Sequence, residues 1–278
     1  MAVPATEDDP AAQDRQRHGY SFGASAAAYA EHRPDYPGAA LAWALAPAAG
    51  AGQLRVVDLG AGTGKLTRPL AALTAEVVAV EPDPAMLAEL RRAVPGVRAV
   101  AGRAEDIPLP DGWADAVLAG QAAHWFDLPR AIPEIARVLA PGGVLAGLWN
   151  TDDDRVGWVA GLAEAAAGLA SVPLSRWRAR AGDAISVWLG PGGAGAVPGV
   201  RLFSPPQRGE FEHWQVRTAD SLVATIATHS AVLLMEPAER DRVLATVRAY
   251  LASRPETASG SFRLPLVTCV TRAARVSG

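Results

Sequence analysis

The stretch Val56–Thr67, which reads Val-Val-Asp-Leu-Gly-Ala-Gly-Thr-Gly-Lys-Leu-Thr, constrains the fold of this chain more than any other. An apolar, strand-like run containing Asp58 ends at Leu59, glycines follow at positions 60, 62 and 64, and a helical pattern begins at Leu66. Glycines allow a tight turn and let the backbone approach a ligand closely, and a helix N-terminus offers free N–H groups. The stretch therefore predicts the strand–turn–helix unit that opens nucleotide-binding α/β domains.

Two better-known glycine motifs fit this turn poorly. A dinucleotide fingerprint requires G-x-G-x-x-G, and here the third glycine comes one residue too early. A Walker A loop requires a glycine where Leu59 stands and a Ser or Thr where Leu66 stands. The glycine spacing thus disfavours a nicotinamide dehydrogenase, and no phosphate-binding loop is specified.

Composition narrows the class of protein further. The chain has 278 residues and a formal net charge of −3, which allows one large domain or a domain with an insertion and gives no basic surface for nucleic acid. Its single cysteine, Cys269, excludes an internal disulfide and a cysteine-based metal site. Neither a secretory signal nor an apolar run of membrane-spanning length is visible, so we expect a soluble cytoplasmic protein, a monomer or homodimer without a membrane or nucleic-acid partner.

Strand-like and helical segments alternate from residue 54 to residue 150. The predicted strands are 54–59, 76–81, 97–101, 114–119 and 144–149, and the predicted helices between them are 66–73, 84–93 and 128–139. Nearly continuous apolar strands separated by helices indicate a parallel sheet with helices on both faces. A turn at Pro141-Gly142-Gly143 is expected to end the third helix before the fifth strand.

The pattern changes after residue 150. Helices are predicted at 156–170, 218–228 and 237–253, and strands at 211–216 and 262–271. We expect residues 151–260 to form a mainly helical cover inserted before a final strand within 261–278, and the polar residues 1–19 to form a disordered tail.

Several polar residues follow the predicted strands where ligands of open α/β sheets bind. Glu81 ends the second strand about 20 residues after Gly60, the spacing at which a carboxylate can accept hydrogen bonds from ribose hydroxyls. The loop at 102–111 can present backbone amides and the Glu105 carboxylate to an adenine edge. An unusual cluster, Gln121-Ala-Ala-His-Trp-Phe-Asp127, follows the fourth strand.

Five motifs together resemble the class I S-adenosylmethionine (SAM) methyltransferases. Their order and spacing match that family, in particular its trans-aconitate-type and ubiquinone/menaquinone-type small-molecule branch, and they lie at Asp58–Gly64, Glu81–Met86, Ala104–Pro110, His124–Asp127 and Arg137–Val144. The resemblance implies a Rossmann-like, mostly parallel sheet with a last antiparallel strand, SAM as cofactor and S-adenosylhomocysteine as product. It covers residues 20–150 well, the last strand weakly and residues 151–260 loosely.

The resemblance also implies a set of cofactor-binding residues. Gly60, Ala61 and Gly62 would line the methionine part of SAM above Asp58, Glu81 would bind the ribose, and the remaining contacts would come from Pro82, Met86, Ala104, Glu105 and Gln121. Residues 20–37 would form an N-terminal lid on this SAM-binding domain. In that lid Tyr29 and Arg33 would close over the cofactor, with Arg33 pairing with its carboxylate.

The mechanism implied is in-line displacement at the methyl carbon, with water excluded from the site. A carboxylate acceptor needs no base, whereas a phenol, an alcohol or a carbon acid does. His124 is the candidate base, and a structural role for it remains open. Candidate substrate-pocket residues are Trp125, Trp149, His213 and His229, for which structural roles also remain open.

We therefore predict methyl transfer to a small-molecule acceptor, with O-methylation of a carboxylate or hydroxyl ahead of C- or N-methylation. The alternative is a protein of the same fold that binds SAM without transferring the methyl group, such as a cyclase, an isomerase or a binding protein. No metal is expected, because the acidic run Asp152–Asp154 has no partner carboxylate at the end of the fourth strand, where Gln121 stands.

Overall fold

The computed structural model describes residues 33–50, 53–73, 76–167, 202–227, 232 and 235–276. Within these ranges seven strands form one sheet, namely β1 Arg55–Leu59, β2 Glu76–Glu81, β3 Arg98–Ala101, β4 Ala114–Gly120, β5 Leu139–Asp152, β6 Gln207–Thr218 and β7 Ser261–Ala274. The α-helices in the same ranges are α1 Gly38–Leu45, α2 Thr67–Leu73, α3 Pro84–Ala93, α4 Leu128–Val138, α5 Gly157–Ala167, α6 Ala219–Ala227 and α7 Pro237–Ala252. The predicted tail 1–19, Tyr29 and His229 lie outside the described residues.

The strand order β3-β2-β1-β4-β5-β7-β6 confirms the predicted fold class. The first five strands in this order run parallel to one another, and β7 is antiparallel to both β5 and β6. β1 lies at the centre of the parallel half, with Val57 opposite Val78 of β2 and Val117 of β4. Because neighbouring parallel strands end at the same edge of a sheet, this order brings the residues after β1, β2 and β4 together.

Burial on both faces explains why the parallel strands are so apolar. Four of the five residues of β1 and five of the six residues of β2 are buried. One face packs against α4 through a core that includes Val57, Val78 and Ile132, and the other packs against α1 through a core that includes Val56 and Leu41. Even Asp58 and Glu81 are therefore held inside the protein, with little contact with water.

The prediction of a turn at Pro141-Gly142-Gly143 before the fifth strand is wrong. α4 ends at Val138 and β5 begins at once, so that these three residues lie inside the strand as an irregularity in its pairing with β4. Gly142 has a φ of +78°, and backbone hydrogen bonds from Gly142 N to Arg275 O (3.2 Å) and from Arg275 N to Gly143 O (2.7 Å) support the segment. The chain after β7 supplies these partners, which no local pattern reveals.

The strand predicted at 211–216 within the cover belongs to the main sheet. It extends over Gln207–Thr218 and pairs along its whole length with β7. The cover helices α5, α6 and α7 pack on the far end of β7 through a third core that includes Trp158, Val223, Val247 and Leu264. In the described ranges no helix is both long and apolar enough to cross a bilayer.

Candidate functional site

A cavity of about 580 Å³ opens at the carboxyl ends of β1, β2 and β4. Five segments supply most of its wall, namely the residues before α1 and those that follow β1, β2, β3 and β4, and Asn150 of β5 completes it. The wall includes Gly60, Glu81, Ala104, Gln121, His124 and Tyr36. This is the edge at which ligands of open α/β sheets bind.

The glycine turn comes close to the neighbouring strand. Gly60 and Gly62 have φ values of +69° and +56°, a region that side chains rarely adopt. Gly60 N and Ala61 N donate to Val80 O at 2.9 and 3.1 Å. A Cβ atom on Gly60 would lie 2.7 Å from Cβ of Ala122. The first glycine is therefore required both by the turn and by the close approach of the residues after β4.

The Glu81 carboxylate joins the turn to the end of β2. Oε2 accepts a hydrogen bond from Gly62 N and Oε1 accepts one from Asp83 N, both at 2.8 Å. Burial raises the pKa of Glu81, and the two backbone donors oppose that rise. Each oxygen of an ionised carboxylate can accept more than one hydrogen bond, so the side chain keeps capacity for a ligand in the cavity.

Two oxygen atoms beneath the turn are buried and accept no hydrogen bond within the described residues. They are Oδ1 of Asp58 and Oγ1 of Thr63, and both residues line the cavity. Oδ2 of Asp58 accepts a hydrogen bond from Thr67 Oγ1 at 2.6 Å, and burial raises the pKa of Asp58 from 3.8 to about 7. Sequence reasoning missed Thr63, although its position between two glycines could have signalled it.

Residues after β2 and β3 that were predicted as cofactor contacts form a second wall. Pro82, Met86 and Ala104 line the cavity, and Sδ of Met86 lies 3.6 Å from the Cβ position of Gly62. Asp83 caps α3 through Oδ1, which accepts hydrogen bonds from Ala85 N and Met86 N. This cap fixes the start of the helix, where Asp83 and Met86 line the cavity.

Glu105 also lies on this wall, but its carboxylate has protein partners. Oε1 accepts a hydrogen bond from Asp127 N at 2.7 Å, and Oε2 lies 3.5 Å from Nε of Arg103. The side chain thereby fastens the loop after β3 to the start of α4. Contact between Glu105 and an adenine edge stays a prediction.

The residues after β4 form the third wall. Gln121 is a non-glycine residue with a φ of +54°, held by hydrogen bonds from its N to Leu148 O (2.9 Å) and from its Nε2 to Asn150 O (2.8 Å). The rings of His124 and Trp125 contact each other with centroids 4.7 Å apart. Burial, together with the positive charge of Arg33, lowers the pKa of His124 from 6.5 to about 4.

The remaining predicted residues divide between the cavity and other places. Arg33 and Trp125 line the cavity. Trp149 is buried in a cluster with Ala119 and Ala123, and His213 lies on β6 with Nε2 3.0 Å from Thr268 Oγ1. Neither Trp149 nor His213 is among the described residues of the cavity wall.

Tyr36, predicted only as part of the lid segment 20–37, lines the cavity, as do Lys65 and Asn150, which were not predicted as site residues. Tyr36 packs against Gly120, where a Cβ atom would meet the Tyr36 hydroxyl at 2.6 Å. Lys65 Nζ lies 3.4 Å from Oδ1 of Asp35. Lys65 lies within the Val56–Thr67 stretch, whereas the contacts of Asn150 join distant parts of the chain, so no local motif marks Asn150.

Together these features define an α/β domain with a site for a nucleoside-containing cofactor. Gly60 and Gly62 have no side chain that would keep a ligand away from the backbone of the turn. Glu81 places a carboxylate at the end of β2. Oδ1 of Asp58 and Oγ1 of Thr63 are buried acceptors for a cationic group. SAM carries a ribose, an ammonium and a sulfonium. The residues present therefore fit that cofactor.

Comparison with known proteins identifies the family. Residues 57–147 match the model of a methyltransferase domain. The chain is 42% identical over 254 residues to an uncharacterized methyltransferase of Mycobacterium tuberculosis (strain ATCC 25618 / H37Rv), which covers 91% of this chain and 95% of that protein. A methyltransferase of Mycobacterium bovis gives the same figures. The chain belongs to the class I SAM-dependent methyltransferases, and its cofactor is SAM.

The fold agrees with a solved structure from the same class. A protein of Anaeromyxobacter dehalogenans assigned as a type II methyltransferase aligns with a TM-score of 0.60 and 26% identity over 87% of this chain and 97% of that chain. Shorter matches include a malonyl-[acyl-carrier protein] O-methyltransferase of Halorhodospira halophila, 43% identical over 97 residues, a third of each protein.

Proposed function

We propose that this methyltransferase methylates a carboxylate oxygen of a small-molecule acceptor. The observation that carries the proposal is the environment of His124, the residue predicted to act as a base. Burial lowers its pKa to about 4, so the imidazole is neutral at neutral pH and takes up a proton only weakly.

A weak base limits the choice of acceptor. A phenol has a pKa of about 10, so proton transfer to an imidazole whose conjugate acid has a pKa of about 4 is unfavourable by roughly six pKa units. A carboxylic acid is already ionised at neutral pH, since its pKa is about 4, and needs no base. Two carboxylates of the wall are poorly suited to replace His124, because Glu81 accepts two backbone hydrogen bonds and Asp58 lies beneath the glycine turn.

Similar proteins support O-methylation. Malonyl-[acyl-carrier protein] O-methyltransferases of Halorhodospira halophila and Methylococcus capsulatus are 43% and 44% identical to this chain over 97 and 98 residues. Their alignment covers only about a third of this chain. It therefore supports the type of reaction, O-methylation, but not the identity of the acceptor.

Each wall of the cavity has a role in this proposal. Gly60, Ala61, Gly62 and Asp58 hold the methionine part of SAM, Glu81 holds the ribose, and Pro82, Met86, Ala104, Glu105 and Gln121 bound the rest, with Arg33 near the cofactor carboxylate. When bound, SAM supplies an activated methyl group on a sulfonium. His124 and Trp125 then exclude water from the acceptor side, and residues 151–260 select the acceptor as a cover on the SAM-binding domain 20–150.

The test is a methyl-transfer assay with methyl-labelled SAM and a panel of small carboxylic acids, phenols and amines. The expected product is a methyl ester, recognised because mild alkali releases its label as methanol. His124→Gln is expected to lower kcat by less than about tenfold, whereas loss of a general base lowers it about 100-fold or more.

Three outcomes would contradict the proposal. Label that resists mild alkali would place the methyl group on a phenol, a nitrogen or a carbon. A loss of about 100-fold or more in His124→Gln, with S-adenosylhomocysteine still bound, would make His124 the base. Binding of SAM without turnover of any acceptor would favour a protein that uses the fold without methyl transfer.

A further inference from the structure

Asn150 lies near the C-terminal end of β5 and connects that strand with three other segments of the chain. Its Nδ2 donates hydrogen bonds to Pro34 O (3.3 Å) and Asp35 O (3.2 Å), just before α1. Its Oδ1 accepts a hydrogen bond from Thr268 Oγ1 of β7 at 2.5 Å, and its backbone O accepts one from Gln121 Nε2 at 2.8 Å. One side chain on the cavity wall thus connects the N-terminal segment to the centre of the sheet.

The neighbours of Asn150 fix which way its amide points. A flipped amide would set Oδ1 against two carbonyl oxygens, which offer no proton, so Nδ2 must face the segment 34–35. The Thr268 hydroxyl gives its single proton to Oδ1 of Asn150, and His213 Nε2 must therefore be the donor in its 3.0 Å contact with Thr268 Oγ1. All donors in this chain of hydrogen bonds point from β6 and β7 towards the N-terminal segment.

The segment that Asn150 holds forms part of the cavity. Arg33, Pro34 and Tyr36 line it, and Tyr36 is buried against Gly120. A further polar contact of the segment, between Asp35 and Lys65 at 3.4 Å, leaves the Asp35 side chain 61% exposed and contributes little for that reason. The paired hydrogen bonds from Asn150 act directly on the backbone between Arg33 and Tyr36.

We propose that Asn150 is a positioning residue for the cofactor: it holds the segment 33–36 in the cavity wall and thereby sets the affinity for SAM. This role of Asn150 rests on SAM as the cofactor and is independent of which acceptor is methylated. Asn150 acts through the segment, and no contact between Asn150 and the reacting atoms is required.

The variant Asn150→Asp tests this directly. Aspartate has nearly the same shape and still accepts a hydrogen bond from Thr268, but its ionised carboxylate cannot donate to the two carbonyl oxygens and repels them. Thr151→Val is the matched control, because it removes a cross-strand hydrogen bond of the next residue in β5, Thr151 Oγ1 to Val267 O, without touching the segment.

The first readout is the Kd for S-adenosylhomocysteine, measured by calorimetric titration. Asn150→Asp is expected to raise this Kd by at least about tenfold, since two hydrogen bonds are lost, and Thr151→Val by less than about threefold. With an acceptor in hand, KM for SAM should rise in parallel while kcat at saturating SAM stays within about threefold. If Asn150 had only a structural role, Asn150→Asp would lower the melting temperature without raising KM for SAM at a nearly unchanged kcat.

Wild-type affinity for S-adenosylhomocysteine in folded Asn150→Asp would overturn the proposal, as would an equal loss in Thr151→Val. If Asn150→Asp does not fold, Asn150→Ser removes the same donors without adding a charge and is judged by the same two criteria. A wild-type protein that binds S-adenosylhomocysteine but methylates no carboxylate would contradict the proposed acceptor and leave this role of Asn150 standing.

Discussion

The two halves of the sheet carry the site in different ways. In the half built from β3, β2 and β1, the contacts that shape the cavity join residues close in sequence, such as Gly62 with Glu81 and Asp58 with Thr67. In the half built from β5, β7 and β6, Asn150 joins Asp35 and Thr268, each more than a hundred residues away. The first half is a local motif, and the second exists only once the whole chain has folded.

This difference separates contacts that a local motif encodes from contacts that only the folded chain brings together. The glycine turn and the Glu81 carboxylate lie within 21 residues of one another. The contacts around Asn150 place the N-terminal segment and the last two strands against that site. Variants in the first half should therefore abolish cofactor binding, and variants in the second should tune it.

The largest effect is expected at Gly60. Gly60→Val would place a Cβ atom 2.7 Å from Ala122 in a backbone with a φ of +69°. Binding of S-adenosylhomocysteine should weaken by about 1000-fold or more, because strain and collision both displace the turn. Gly112→Val is the control: its φ is +64°, but its Cβ atom meets nothing within 4 Å. Equal loss of affinity in both variants would show that collision with Ala122 is unimportant.

The next effect is a pair of opposite pH dependences in the free energy of unfolding of the ligand-free protein. Burial raises the pKa of Asp58 from 3.8 to about 7, so its contribution is present below pH 3.8 and is lost as the pH rises to about 7. Burial lowers the pKa of His124 from 6.5 to about 4, so its contribution is present above pH 6.5 and is lost as the pH falls to about 4.

Single variants should separate the two slopes. Asp58→Asn removes the Asp58 contribution, so its stability relative to the wild type should rise with pH between about 3.8 and 7, by up to about 4 kcal/mol. His124→Gln removes the His124 contribution, so its stability relative to the wild type should fall with pH between about 4 and 6.5, by up to about 3 kcal/mol. Urea denaturation at several pH values measures both, and parallel curves for the two variants would contradict the assigned environments.

A smaller effect is expected at Glu81. In Glu81→Gln one side-chain oxygen can still accept from Gly62 N or Asp83 N, but the amide nitrogen cannot accept from the other. Affinity for S-adenosylhomocysteine should fall by about 10- to 100-fold, measured by calorimetry. Glu76→Gln at the exposed start of β2 is the control and should bind normally. Unchanged affinity in Glu81→Gln would separate this carboxylate from cofactor binding.

The smallest effect is expected at Trp149, which sequence reasoning assigned to the substrate pocket. Its indole Nε1 is buried and has no hydrogen-bond partner among the described residues. Trp149→Phe removes this unpaired donor, which offsets part of the lost packing, so the free energy of unfolding should change by less than about 1 kcal/mol. KM for the acceptor should stay within about twofold, and a larger rise would return Trp149 to the acceptor pocket.

Features that depend on local contacts could be predicted from the sequence, and features that depend on distant contacts could not. The bounds of β2 and α3 were predicted correctly, because Pro84 and the Asp83 cap mark the helix start locally. The extension of β5 back to Leu139 and the membership of β6 in the sheet were not, because β4, β7 and the residue after β7 supply the pairing partners. Asn150 was not predicted as a site residue, since its partners Asp35 and Thr268 are distant in sequence.

The place of β7 between β5 and β6 also bears on how this protein is made. During synthesis the parallel strands leave the ribosome first. The edges of β5 and β6 that pair with β7 stay unpaired until Ser261–Ala274 has been synthesised. Unpaired edges are templates for pairing with other chains, and contacts between distant residues form slowly. Aggregation during synthesis should therefore be governed by the last strand, and chains truncated before residue 261 should be those that chaperones retain.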